Sequence, residues 1–230
     1  MLLFFLEFSQ RMNKAFIFDM DGVLVASEKL WHEHLQKVWP NLVGPEIANV
    51  FRIPIGQTPL TLHAEAIKHG STVTLSDFLT ELDKIANEIY KEAPITNDFE
   101  KLVNFLAENH FGLGLVSSSK RAWIDLVLER VPFRDKISSV VSINDTPELQ
   151  PKPHPGSYIE TIANLDAKSD TTIVLEDSNS GIQAAKSAGV FTIGFTPHLL
   201  PEYTQHGADV YANTIEDVIE IVKQFDSQLV

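Results

Sequence analysis

The chain contains no cysteine, which excludes a disulfide framework and any thiol chemistry. Positive charge is scarce. There are 18 lysines and arginines against 31 aspartates and glutamates, a formal net charge of −13. That balance argues against nonspecific binding to nucleic acid or to an anionic membrane. Long hydrophobic runs are also missing. The apolar start, Met1 to Phe8, falls short of the roughly 20 residues a membrane-spanning helix needs. It has neither the basic leading region nor the small-residue cleavage site of a secretory signal. Met12 stands just ahead of the first strand. Residues Met1–Arg11 therefore read as an extension from an upstream start codon, or as a short segment packed on the core. No internal repeat or low-complexity segment occurs. These absences lead us to expect a cytoplasmic protein, a monomer or weak dimer, with no nucleic-acid or membrane partner.

What is present is ordinary globular composition, 44% hydrophobic and 21% charged. The length of 230 residues suits one large domain or a core with a smaller insert. The apolar run Ala15–Phe18 reads as a buried strand. Between Ser27 and Pro94 only helical spacing follows: Glu28–Trp39 with Ser27 as its N-cap and Pro40 as its stop, then Gly44–Phe51, Pro59–Lys68 and Ser76–Lys91. The strand–helix alternation resumes at Asn97 or Asp98. Strands are expected at Gly112–Val116, Val140–Ser142, Thr171–Leu175, Phe191–Phe195 and Asp209–Tyr211, with helices between them. This pattern predicts an α/β fold: a Rossmann-like parallel sheet covered by helices on both faces, with an all-helical segment inserted after the first strand. The expected division is a core of 12–26 and 95–230 and a helical insert of 27–94. Right-handed crossovers put all strand carboxyl ends on one edge, where Asp19, Ser117 and Asp177 would meet.

The most informative stretch is Lys14 to Ala26, KAFIFDMDGVLVA. Its apolar run ends abruptly in Asp19-Met20-Asp21-Gly22. The turn delivers two carboxylates to the strand's carboxyl end, where open α/β sheets bind ligands. Two close carboxylates repel and resist desolvation unless a cation or a shared proton compensates. Mg2+ takes oxygen ligands and often binds together with substrate phosphates.

Asp19-Met20-Asp21-Gly22-Val23-Leu24 resembles the first motif of the haloacid dehalogenase superfamily in its phosphatase form, in particular the β-phosphoglucomutase/phosphoglycolate phosphatase-like subfamily. The later motifs follow in order: Ser117 at a strand end, Lys152 in Pro151-Lys152-Pro153, and Glu176-Asp177 ending an apolar strand. The resemblance implies that Asp19 is a nucleophile taking up the phosphoryl group and Asp21 the general acid/base. Ser117 and the Ser118 N–H would bind phosphate oxygens, with Lys152 holding its ammonium over nucleophile and phosphate from a loop stiffened by prolines. Mg2+ would be held by Asp19, the backbone carbonyl of Asp21, Asp177, and Glu176 directly or through water. The implied substrate is a small phosphorylated metabolite, a sugar phosphate or similar. Neighbouring His154 reads as a loop residue.

In relatives with this layout the helical insert is a cap that closes over the site and selects the substrate. His32, His34, Arg52, Gln57 and Thr58 are cap residues that could face it. Two departures lie at the cap–core linkers: Ala26-Ser27 replaces a usual Asp-Ser, and Pro94-Ile95-Thr96-Asn97 replaces a usual Pro-Gly. The cap loop after Gly56 carries no arginine for a second phosphate, with Pro59 near that position, which argues against a mutase. Other readings are a phosphoglucomutase-like isomerase, a phosphonatase using Lys29 or Lys68, a receiver-type switch, or a catalytically silent phosphate-binding module. A receiver fits poorly, because the acidic pair comes late and the nucleophile sits on the first strand.

Overall fold

Strand β1 (Lys14–Phe18) occupies the middle of the sheet, and its sequence shows why. Phe16 and Phe18 enter one hydrophobic cluster and Ile17 the other, on the opposite face. A strand buried on both faces must be apolar throughout. The computed structural model describes residues 13–51 and 58–229. The expected extension Met1–Arg11 and the insertion residues Arg52, Gly56 and Gln57 lie outside the described residues.

After β1 come four helices, α1 (Glu28–Val43), α2 (Pro45–Val50), α3 (Pro59–Lys68) and α4 (Leu75–Glu92). The rest alternates: α5 (Phe99–Glu108), β2 (Phe111–Ser117), α6 (Arg121–Leu128), β3 (Ile137–Ser142), α7 (Gly156–Asn164), β4 (Thr172–Glu176), α8 (Asn179–Ser187), β5 (Phe191–Phe195), β6 (Val210–Ala212) and α9 (Ile215–Ser227). The sheet order is β3-β2-β1-β4-β5-β6, and every pairing is parallel. This is the doubly wound order, and its switch point lies between β1 and β4. The parallel sheet is therefore present, and among the described residues the insertion after the first strand contains helices and no strand.

Two expectations need correction. Helix α1 does not stop at Pro40 but runs through it to Val43. Leu35, Trp39 and Val43 form a buried stripe at helical spacing, and their burial outweighs the one hydrogen bond that proline forfeits. Ser27 occupies the N-cap position of α1 without a side-chain cap bond. Its hydroxyl turns instead to Asp21. Thr58, Thr74 and Thr214 do cap their helices, accepting from the Thr61, Asp77 and Asp217 amides.

The two chain segments that enter and leave the insertion are tied together. Val25 bridges Ile95 in antiparallel fashion. The Ala26 amide donates to Pro94 and the Thr96 amide to Leu24, each at 2.9 Å. Above this junction Trp39, Phe78, Leu82 and Ile89 join the same hydrophobic cluster as Phe16 and Phe18. No helix among the described residues is long and apolar enough to cross a membrane.

Candidate active site

Phe18 of β1 lies between Leu115 of β2 and Leu175 of β4. The Asp19 amide then donates to the Leu175 carbonyl at 3.1 Å. The residues that follow these partners therefore share one edge: Asp19 and Asp21 from β1, Ser117 to Ser119 from β2, Glu176 and Asp177 from β4.

Lys152 joins them from the proline loop. Its ammonium donates to Asp19 Oδ1 and to Glu176 Oε1, both at 2.5 Å. Burial alone would lower the Lys152 pKa, but the Asp19 and Glu176 carboxylates hold it well above its ordinary value. Glu176 is fully buried. Its Oε1 also accepts from the Tyr158 hydroxyl at 2.7 Å, and its Oε2 from the Ser178 amide and hydroxyl, each at 3.0 Å. Its oxygens thus serve Lys152, Tyr158 and Ser178, and it does not line the cavity described below. Asp19 is pushed up to about 8 by burial, against the opposing pull of Lys152.

Asp21 is held on both oxygens. Oδ1 accepts from Ser27 (2.6 Å) and Tyr90 (2.7 Å), and Oδ2 from the Ser119 hydroxyl (2.9 Å). Tyr90, on α4, accepts in turn from Trp31 Nε1 at 3.0 Å. Burial raises the Asp21 pKa in spite of these donors.

Asp177 is 3% exposed, and its Oδ2 has no hydrogen-bond partner. Burial, then the charges of Glu28, Glu176 and Asp19, raise its pKa well above the ordinary value. Glu28, in the first turn of α1, is pushed up to about 8 by desolvation and by Asp21, Asp19 and Glu176. Gly22 admits Asp177 to the turn. It has φ +74°, and a Cβ there would sit 1.9 Å from Asp177 Oδ2.

Ser117 is buried at the end of β2, and its hydroxyl accepts the Ser119 amide at 3.0 Å. Ser118 and Ser119 line the cavity; Ser117 does not. The cavity has a volume of about 120 Å³, and its lining includes Asp19, Asp21, Glu28, Lys152 and Asp177. From the insertion, His32 lines it. His34 is turned to Leu30 and Glu88, and Thr58 caps α3. Lys29 and Lys68 pair with Glu33 and Glu65 and do not line it. His154 accepts the Gly156 amide within its loop.

The donor set fits a hard divalent cation. Asp19, Asp21, Glu28 and Asp177 face the cavity with one ammonium among them, and one buried carboxylate oxygen has no donor. Among the described residues no three His, Cys, Asp or Glu side chains converge as a closed cage. Mg2+ is bound through one or two carboxylates, retained waters and phosphate, and needs no such cage. Glu28, Tyr90 and Ser119 were not singled out from the sequence. Glu28 sits in the same chain segment as Asp21, which could have flagged it; Tyr90 reaches Asp21 across 69 positions, with no local signal.

The family model described as haloacid dehalogenase-like hydrolase matches residues 16–195. A phosphorylated carbohydrates phosphatase of Thermotoga maritima is 28% identical over 192 residues, covering 81% of this chain and 87% of that protein. The crystal structure of a predicted phosphoglycolate phosphatase from Haemophilus somnus superposes with a TM-score of 0.73 at 17% identity, covering 91% of this chain and 97% of that one. A β-phosphoglucomutase from Clostridium difficile gives 0.64 at 19% identity, covering 94% and 98%.

Proposed function

Because the chain belongs to the haloacid dehalogenase-like hydrolases, as an enzyme of the phosphatase type, we propose that it hydrolyses the phosphate monoester of a small metabolite through an aspartyl-phosphate on Asp19, with Mg2+ as cofactor. The observation that carries this reading is the Lys152 ammonium bridging Asp19 and Glu176 beside the doubly held Asp21.

Phosphoryl transfer needs positioning and charge stabilisation more than covalent chemistry. Lys152 favours the ionised form of the nucleophile against its burial. An Asp19 oxygen attacks phosphorus as the bond to the ester oxygen breaks. Asp21, whose pKa is raised by burial against the pull of its hydroxyl donors, gives its proton to the departing alkoxide. Water then attacks the acyl phosphate, Asp21 takes the proton back, and Asp19 and inorganic phosphate are released. Such acid/base assistance is worth ~10²–10⁴-fold. Asp19, Asp177 and the Asp21 carbonyl would hold Mg2+, which when bound supplies the positive charge the carboxylates lack. Glu176 acts through Lys152 and Tyr158, by its observed bonds. The Ser117–Ser119 turn leads into the N-terminus of α6, a favourable place for phosphate oxygens.

The division into a core of 12–26 and 95–230 and a cap of 27–94 belongs to the same proposal. Closure of that cap would exclude water from the reaction. A mutase has less support. The loop after Gly56 carries no arginine for a second phosphate. The test is phosphate release from a panel of esters with Mg2+. Multiple turnover that disappears in Asp19→Asn supports the reading. A folded protein that binds Mg2+ and releases phosphate from none of the esters discards it.

A further inference from the structure

The cavity changes character away from the carboxylates. Beyond the charged groups, His32 and the hydroxyls of Ser118, Ser119 and Ser178, the described part of its wall is apolar, with Trp31, Leu35, Leu62, Leu82, Trp123 and Leu200. The two indoles offer no polar atom to a ligand. Trp31 Nε1 donates to the Tyr90 hydroxyl at 3.0 Å, and Trp123 Nε1 donates to Asp83 at 2.7 Å. Asp83 is itself gripped on both oxygens by Lys120, at 2.8 and 2.9 Å. Each ring is thus locked by its one donor and can present only carbon to the cavity. Their centroids are 5.5 Å apart and their planes tilted by 38°. Among the described residues the insertion adds two polar side chains to the lining, Glu28 and His32. Glu28 belongs to the acidic cluster, and His32 shares a hydrogen bond with Gln36 at 2.7 Å.

A sugar or polyol phosphate brings a hydroxyl on nearly every carbon. Each hydroxyl moved from water onto such a wall loses its hydrogen bonds without replacement. A ring or compact hydrocarbon gains from the same transfer. The whole cavity, its carboxylate end included, measures about 120 Å³, so its apolar end suits a compact group.

Resting on the phosphatase reading, we infer that the alcohol part of the substrate is an apolar ring or compact hydrocarbon body, and that sugar and polyol phosphates are the poorer substrates. Trp31 and Trp123 are the specificity-determining side chains, one from the insertion and one from the core.

The test compares 2-phenylethyl phosphate with glucitol 6-phosphate, both esters of primary alcohols, using the whole chain with Mg2+. We expect kcat/KM to favour the phenylethyl ester by about tenfold or more, the scale of burying one ring face. Leu62→Asn, which adds an amide to the wall, should narrow that ratio; the ratio in the unaltered chain decides by itself if this variant fails to fold. Asp19→Asn gives a readout without turnover. Its tryptophan fluorescence should respond to the phenylethyl ester at lower concentration than to the glucitol ester. Equal or reversed preference, with turnover that still depends on Asp19, overturns the apolar substrate and leaves the phosphatase reading standing. No turnover of any ester overturns both.

Discussion

Replacing Asp177 by asparagine should stabilise the ion-free protein. The carboxylate is buried, one oxygen has no partner, and Glu28, Glu176 and Asp19 crowd it with like charge. Asparagine keeps the shape and removes the charge. An unsatisfied buried polar group costs about 1–3 kcal/mol, and a charged one more. In a chain of this size each kcal/mol moves Tm by roughly 2–4 °C, so a shift of about 4–8 °C upward is expected in chelator at pH 8. The sign follows from the raised pKa. The native state holds a proton that the unfolded chain has released, so the cost is absent below the unfolded pKa of about 4 and grows as pH rises towards the folded one. The advantage of asparagine should therefore widen from pH 5 to pH 8. Saturating Mg2+ reverses the order: a ligand at 100 times its Kd stabilises by about 2.7 kcal/mol, and the variant forgoes most of that gain. Differential scanning calorimetry with EDTA and with Mg2+ measures both arms. The reasoning fails if the variant melts below the parent in EDTA at pH 8, or if Mg2+ raises both equally.

Lys152→Met leaves Asp19 and Glu176 facing each other without their shared ammonium. It should cost roughly 3–5 kcal/mol in urea unfolding at pH 8, and an unchanged midpoint would refute the pairing as a source of stability. Tyr90→Phe removes one of the donors on Asp21. Turnover of alkyl phosphates should drop about tenfold while p-nitrophenyl phosphate, whose leaving group needs no proton, changes far less; equal losses on both would show that Tyr90 does not act through the acid. Gly22→Ala places a methyl 1.9 Å from Asp177 Oδ2 at a positive φ. Titration calorimetry should find Mg2+ affinity lost, and retained affinity would mean that Asp177 can move without harm to the site.

Strand ends and their order were legible because a parallel strand buried on both faces writes a continuous apolar run. Ala15–Phe18 and Ile173–Leu175 are such runs, and an acidic residue closing each marks the sheet edge. Helix α3 spans the same residues, Pro59–Lys68, that its spacing predicted. Pro40 misled because a local stop signal competes with a buried stripe that only the tertiary structure reveals. Ser27 misled in the same way, since a nearby carboxylate takes the hydroxyl a cap would use. Which hydroxyl of Ser117-Ser118-Ser119 meets the cavity depends on the turn after β2, and sequence spacing carries no information about it. Tyr90 and Trp31 were silent for another reason: aromatic residues in amphipathic helices read as core, and their bond to each other and to Asp21 crosses elements.

The central place of β1 has a consequence for how the chain acquires its structure. The first strand made waits for both neighbours, β2 and β4, and between it and β2 lies the whole helical insertion. Asp19 meets Lys152 across 133 positions. Helices α1, α2 and α3 lie close together in the chain, whereas the strand that leads to Asp19 and Asp21 closes the longest loops. Contacts of that separation slow folding. A chain halted before Thr172 has a first strand open along one edge and lacks the Glu176 carboxylate that shares Lys152 with Asp19.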